Sequence, residues 1–464
     1  MIRLTIILII STFNSCTTPK NIFLNTGSPK YKQKINRILS SSGLDINASI
    51  SFISIKEKKV LYQLNPNKLL VPASNNKLFT YAATLNILGP NYRFKTVILK
   101  NENNIILAGN GNPDLTIAQL DSLAAITAKK TKDIDTLFIN RTFMDTLEYG
   151  KGWMWDEGSN WYAAPVSPLS INDNCIDFFI YTDEMGGKTK VSYFPDTDFI
   201  KVINKSKTVS DTTNIKAIKI NRDWAGRKNI FTITGELLEG TTTDTLKKNI
   251  FNAPLFTATL FKELLESRGV SVGNMAYYDR SQKLDTLAIH TSDSLKIAGD
   301  NMMKESDNLT AELFTKTISR DRSPLGKWEI GINAIKHFLK ESAHIDTNNI
   351  RVADGSGFSR YNLASSNQIT KVLTYMYYNR YNKEFIKSLP YGGEKGSLEK
   401  RFSHYGDKIR AKTGHLSGVS CLSGYIYPDG ESPIIFSILM NGFIGDPLHY
   451  QGLQSKIIDV FIND

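Results

Sequence analysis

Ser74-Asn75-Asn76-Lys77, followed by the largely apolar stretch Leu78 to Leu88 and stopped by Gly89-Pro90, is the segment on which the reading of this chain turns. Pro72 and Ala73 lead into a helical pattern that runs from Ser74 to about Leu88. Residues three apart on a helix share a face, so the spacing sets the Lys77 amine against the Ser74 hydroxyl. A serine is a weak nucleophile and needs a base that is neutral near pH 7. A lysine serves only if burial or a neighbouring cation lowers its pKa. The start of a helix adds unpaired N–H groups and a dipole that favour developing negative charge.

Two triplets follow in order, Ser306-Asp307-Asn308 and Lys412-Thr413-Gly414. Neither of the first two patterns decides anything alone, since S-x-x-K recurs at Ser397 to Lys400 and S-x-N at Ser74, Ser170 and Ser365. K-T-G occurs once, and only Ser74, Ser306 and Lys412 give the order S-x-x-K, S-x-N, K-T-G with each element in a sensible context. That ordered set reads as an acyl-transfer site, with Lys412 the second cation expected beside Lys77.

Working outward, Ala48 to Ile55 and Val60 to Leu64 alternate around a Lys-Glu-Lys-Lys turn, a hairpin signal. Between Pro90 and about Leu284 strands and turns dominate, clearest at Phe178 to Tyr181, Val191 to Phe194, Ile215 to Ile220 and Ile230 to Thr234, with helical patterns at Ile117 to Lys129 and Pro254 to Arg268. Helical periodicity returns from Asp293 to Lys316, with Ser306-Asp307-Asn308 inside it, and again at Trp328 to Leu339 and Asn367 to Tyr377. Three strand-like segments close the chain, Lys408 to Thr413, Ser420 to Tyr427 and Pro433 to Met440, with a Pro428-Asp429-Gly430 turn and a final helix over Gln451 to Phe461. Adding the N-terminal hairpin predicts an α/β (α+β) chain with a five-stranded antiparallel sheet covered by helices, whose strands come from both ends of the sequence.

With 464 residues the chain is long enough for about three domains. Its formal charge of +11 is spread over isolated lysines, with no basic run interleaved with aromatics, so nucleic acid is not an expected partner. The six histidines, His290, His337, His344, His404, His415 and His449, show no ligand spacing, and no metal or cofactor is expected. At the N-terminus Arg3 precedes the apolar run Leu4 to Ile10, too short to span a bilayer and suited to a secretory signal. A cysteine follows at Cys16, with Phe13 where a bacterial lipobox more often has leucine. Lipidation at Cys16 would anchor the protein to a membrane in the cell envelope, facing the periplasm. Cys175 and Cys421 then read as two buried thiols.

These motifs together resemble the class C low-molecular-mass penicillin-binding proteins, the D-alanyl-D-alanine carboxypeptidase and endopeptidase family. The resemblance extends over Gly109 to Asp114, Ala163 to Asn174, Asp354 to Arg360 and Lys412 through Tyr425, and the long gap between Ser74 and Ser306 is similar to this family and unlike β-lactamases. It implies a signal peptide at 1–16, a split transpeptidase-like (β-lactamase-like) domain at 17–97 and 285–464, an inserted domain at 98–166 and 245–284, and a nested β-rich domain at 167–244. It further implies that Ser74 attacks the carbonyl between two terminal D-alanines of peptidoglycan stem peptides, that Lys77 takes its proton, and that β-lactams are covalent inhibitors. Ser306 would relay a proton to the leaving amine, Asn308 would hold the substrate backbone, and Lys412, Thr413 and Gly414 would form the carboxylate end of the site. The oxyanion would sit between the N–H groups of Ser74 and His415, the latter standing where the family generally has serine or threonine. Phe358, Arg360, Leu416 and Ser417 match positions that in relatives line a pocket for the diaminopimelate side chain. A β-lactamase or esterase on the same chemistry, and a non-catalytic wall-binding lipoprotein, are the competing readings.

Overall fold

The computed structural model describes residues 25–463 apart from 211–212, 279–283, 429 and 431. The signal region with Cys16, and Asp429 of the expected turn, lie outside the described residues. Among the described residues, no helix is long and apolar enough to cross a membrane.

The sheet that carries the site takes strands from both ends of the chain, in the order Asn25–Gly27, Lys59–Leu64, Ala48–Ser54, Ile434–Asn441, Val419–Ile426, Ile409–Leu416, all antiparallel. Five of these are the expected strands; the sixth is a three-residue edge strand too short to leave a pattern. Ile434–Asn441 and Val419–Ile426 are buried along their whole lengths, as befits central strands covered on both faces. One face packs against helices Pro29–Ser40 and Pro447–Ile462, where Phe52 stacks on Phe436 and Phe461. The other supports the helices Lys77–Leu88, Asn308–Ile318 and Ser366–Tyr378 around Phe79, Tyr81 and Phe314.

Two expected elements differ. The helical pattern from Asp293 to Lys316 is broken into Leu295–Lys304 and Asn308–Ile318, because Ser306 adopts a left-handed conformation (φ 62°) and Asp307 caps the second helix, its carboxylate accepting from Leu309 N at 3.1 Å and Thr310 N at 2.6 Å. The strand expected at Ile215 to Ile220 begins at Lys219 and runs to Arg222, since Lys216 is tied instead to both the backbone and the side chain of Glu236.

Between the two halves of the first sheet the chain builds a second one, ordered Ser271–Tyr278, Asp133–Asn140, Asn104–Gly109, Arg93–Asn101, Asp285–Ser294. Its first three strands are mutually parallel and its core includes the helices Ile117–Lys130 and Ala253–Glu266. Arg93–Asn101 and Asp285–Ser294, close to the expected boundaries at 97 and 285, pair antiparallel at one edge of this sheet. The nested region consists of short strands around Phe178, Phe231 and Ile233. Leu246–Asn249 pairs with Cys175–Tyr181, which carries that unit a few residues past the expected 244.

Candidate active site

Ser74 lies in a tight turn, Ala73–Asn76, that runs directly into the helix Lys77–Leu88. Ala73 is buried and held at φ 46°, a conformation costly for a residue with a Cβ. Gly357 fixes the turn from the other side, since a Cβ there would come within 1.8 Å of the Ala73 carbonyl oxygen. Lys77 is wholly buried, and its Nζ donates to Ser74 Oγ at 3.0 Å, Asn308 Oδ1 at 2.6 Å and the Ser356 carbonyl at 2.9 Å. Burial lowers its pKa to about 8, against the opposing pull of Asp307, Glu312 and Asp354. The depression expected from a second cation therefore has desolvation as its main source.

Lys412 is equally buried, on the same side of its strand as the serine turn, and its pKa is lowered by burial and then by Lys77. Its carbonyl accepts from Asn75 Nδ2 at 3.0 Å, which fastens the serine turn to the sheet. Gly414 permits this approach: a Cβ there would meet the Pro72 carbonyl oxygen at 2.7 Å and Asn75 Nδ2 at 3.0 Å. Side chains alternate along a strand, so Thr413 and His415 fall on the opposite face from Lys412, and His415 is exposed. Pro390 and Gly392 hydrogen-bond to this edge only at Ile409 and Ala411. Among the described residues, Lys412 to Leu416 have no ladder partner on that side.

Asn308 joins the group by both ends of its amide, accepting from Lys77 and donating to the Tyr162 carbonyl at 2.8 Å. Ser306 is placed two residues earlier in the break between helices, half-buried, and among the described residues no hydrogen bond fixes its hydroxyl. Phe358 is buried against Trp153 and Tyr162, while Arg360 donates to the Ser417 carbonyl at 2.9 Å, one residue beyond Leu416. Cys421, opposite Gly414 in the ladder, is buried with its thiol pushed up to about 12, and Cys175 is buried too.

Sequence reasoning missed Glu312. It lies one turn beyond Asn308, is fully buried, and accepts from Trp328 Nε1 at 2.7 Å, Gly355 N at 2.9 Å and Ser356 N at 2.7 Å. Burial and the nearby Asp354 push its carboxyl up to about 7. Asp354, in a stretch that carries the family resemblance, is buried and accepts from Gly357 N, Ser359 N, Asn362 Nδ2 and Trp153 Nε1. The loop that presents the Ser356 carbonyl to Lys77 is thus held by two buried carboxyls. The available signal was the i, i+4 spacing from Asn308, which puts Glu312 on the same helix face.

A buried amine held against a serine hydroxyl beside an open sheet edge is the arrangement of a serine-type acyl hydrolase. The architecture is that of a solved penicillin-binding protein 4 from Haemophilus influenzae, which superposes with a TM-score of 0.79 at 22% identity, covering 92% of this chain and 99% of that one. A second structure of that protein is complexed with a β-lactam. The chain belongs to the D-Ala-D-Ala carboxypeptidase 3 (S13) family, whose profile matches residues 31–459, and is a serine-type peptidase. It is 27% identical over 443 residues to a D-alanyl-D-alanine carboxypeptidase of Actinomadura sp. (strain R39), covering 89% of this chain and 81% of that protein. With the D-alanyl-D-alanine carboxypeptidase DacB of Haemophilus influenzae it shares 25% identity over 430 residues, 89% of each chain.

Proposed function

We propose that this protein cleaves the bond between the terminal D-alanines of peptidoglycan stem peptides through an acyl-enzyme on Ser74. The observation that carries the reading is the buried Lys77 amine, 3.0 Å from Ser74 Oγ and with a pKa lowered to about 8. At pH 7 such a group is neutral in roughly one molecule in ten, against about one in three thousand for an ordinary lysine. Lys77 takes the Ser74 proton as the hydroxyl attacks. The oxyanion develops between the N–H groups of Ser74 and His415, and Ser306 passes a proton to the departing amine. An extended substrate adds itself to the free edge at Lys412 to Leu416, with Asn308 beside its backbone and its carboxylate against Lys412, Gly414 and the edge backbone of Thr413. The incoming negative charge favours protonated Lys412, and that ammonium in turn keeps Lys77 unprotonated.

Phe358, Arg360, Leu416 and Ser417 form the wall for the substrate side chain in this reading. The first sheet with its helices is the catalytic unit, and the second sheet and nested strands are insertions that wall one side of the site. β-Lactams acylate Ser74 as substrate mimics, and the protein sits in the cell envelope, anchored through a lipid on Cys16. Labelling with a fluorescent penicillin tests the chemistry: a long-lived adduct on Ser74, absent in Ser74→Ala, is expected, and rapid turnover of the drug points to a β-lactamase instead. Mass spectrometry of products from intact crosslinked muropeptides separates carboxypeptidase from endopeptidase cleavage, and failure to release D-alanine or open any crosslink while still binding peptidoglycan leaves a wall-binding lipoprotein.

A further inference from the structure

Next to the serine site, and outside the residues given roles above, lies a cavity of about 620 Å³ between the segment 146–158 and the turn 224–227 of the nested region. Its size falls within the ~300–1,000 Å³ typical of small-ligand sites. Tyr149, Trp153, Trp155 and Trp224 give it aromatic walls, and Glu148 and Arg227 put charge of both signs on its lining. Trp155 is 77% exposed, so one indole of this lining lies open to an incoming ligand. The Tyr149 hydroxyl is buried and, among the described residues, has no hydrogen-bond partner, which marks a polar group awaiting one. Trp153 is shared with the serine site, since its ring meets Phe358 edge-on at 5.1 Å and its Nε1 donates to Asp354 at 2.9 Å.

These features select a ligand with apolar C–H faces for the indoles and hydroxyl or amide groups on its rim for Tyr149, Glu148 and Arg227. A pyranose has that division of surface. A purely apolar segment would leave the buried hydroxyl without a partner, and a polyanion would meet Glu148. We infer that the cavity is a glycan subsite, which holds an N-acetylated amino sugar of the same polymer whose stem peptide occupies the serine site. The inference rests on the peptidase reading above. In peptidoglycan the stem peptide hangs from such a sugar, and an extended peptide spans at most about 3.5 Å per residue. The Trp153–Phe358 ring contact sets the cavity directly behind the wall assigned to the substrate side chain.

The test compares kcat/KM for a free stem peptide with that for the same peptide attached to its disaccharide, in the full-length protein and in Trp155→Ala and Trp224→Ala. The expected result is a preference for the disaccharide-linked substrate that falls by roughly five- to tenfold in each variant through KM, the loss of one aromatic contact. Trp155 is so exposed that its removal leaves folding intact. A wild-type protein that does not distinguish the substrates, or variants that keep the wild-type ratio, would overturn the inference. Calorimetry with the peptide-free disaccharide needs no cleavage: saturable heat that is lost in Trp224→Ala supports the subsite even if neither peptide is hydrolysed, in which case the peptidase reading falls by itself. Absence of binding by unaltered protein refutes the subsite while leaving the peptidase reading in place.

Discussion

Replacing Glu312 by glutamine tests whether the site depends on a carboxylate that touches no substrate. Three N–H groups point at it, two on Oε2 from Gly355 and Trp328 and one on Oε1 from Ser356. An amide has one acceptor oxygen, so in Glu312→Gln its NH2 must face a buried N–H donor. If the oxygen keeps the two-donor side, Ser356 N loses its partner, and an unsatisfied buried donor costs about 1–3 kcal/mol. That strain falls on the residue whose carbonyl accepts from Lys77 at 2.9 Å. Weakening this contact lets the amine drift from Ser74 and should slow acylation by about tenfold to a hundredfold. The substitution also removes one of the negative charges that hold the Lys77 pKa up. The variant's acylation rate should therefore reach its plateau at a lower pH than the wild type's, although the plateau itself is lower. Stopped-flow acylation by a chromogenic β-lactam between pH 5.5 and 9.5 reads both effects, and a thermal melt reports the lost stability. An unaltered rate with an unmoved pH profile would show that Glu312 is an ordinary core residue and that the three-donor cradle does not position Lys77.

Further outcomes follow from the same geometry. In the unaltered enzyme acylation should rise with a slope of about one in log rate per pH unit and level off near pH 8, where Lys77 loses its proton; a profile flat from pH 6 upward contradicts a lysine base. Gly357→Ala meets a positive φ of 85° and an approach of 1.8 Å to Ala73, so it should abolish penicillin labelling and lower the melting temperature, whereas Gly430→Ala, at a similar φ of 80° but with open space around it, should lower the melting temperature less and leave labelling intact. Asn308→Ala removes the 2.6 Å contact to Lys77 and leaves the Tyr162 carbonyl without its amide donor, and acylation should drop by at least tenfold in the labelling assay. His415→Thr keeps the backbone N–H and replaces an exposed side chain, so the acylation rate at the pH optimum should stay within about threefold of wild type if the donor alone matters.

The terminal hairpin, the last three strands and the serine helix were legible because each announces itself locally, by alternation around a turn or by a run ended at Gly89-Pro90. Lys412 was legible because K-T-G is rare, and the structure adds why its glycine is required, through the close approach of Pro72 and Asn75. The break at Ser306 was not legible. The pattern from Asp293 to Lys316 is helical on both sides of it, and only the left-handed Ser306 and the cap by Asp307 interrupt it. Glu312 stayed hidden for a different reason. The i, i+4 spacing sets it on the face of Asn308, but its burial and role are made by partners 16, 43 and 44 residues away. The parallel pairing within the second sheet depends on the same kind of long-range contact, and there alternation says that strands exist without saying which ones are neighbours.

The order of the first sheet has a temporal side. Ile434–Asn441, near the C-terminus, lies between the hairpin that precedes Ser74 and the strand that bears Lys412. During synthesis or export the nucleophile and its base emerge early, yet the edge that would receive a substrate is built from strands that emerge last. The strands of the second sheet meanwhile all lie between residues 93 and 294 and have emerged by then. A chain cut short before residue 434 would carry Ser74, Lys77, Ser306 and Lys412 and still lack the strand that joins them. Reactive chemistry in this molecule thus comes into being only when its two ends meet.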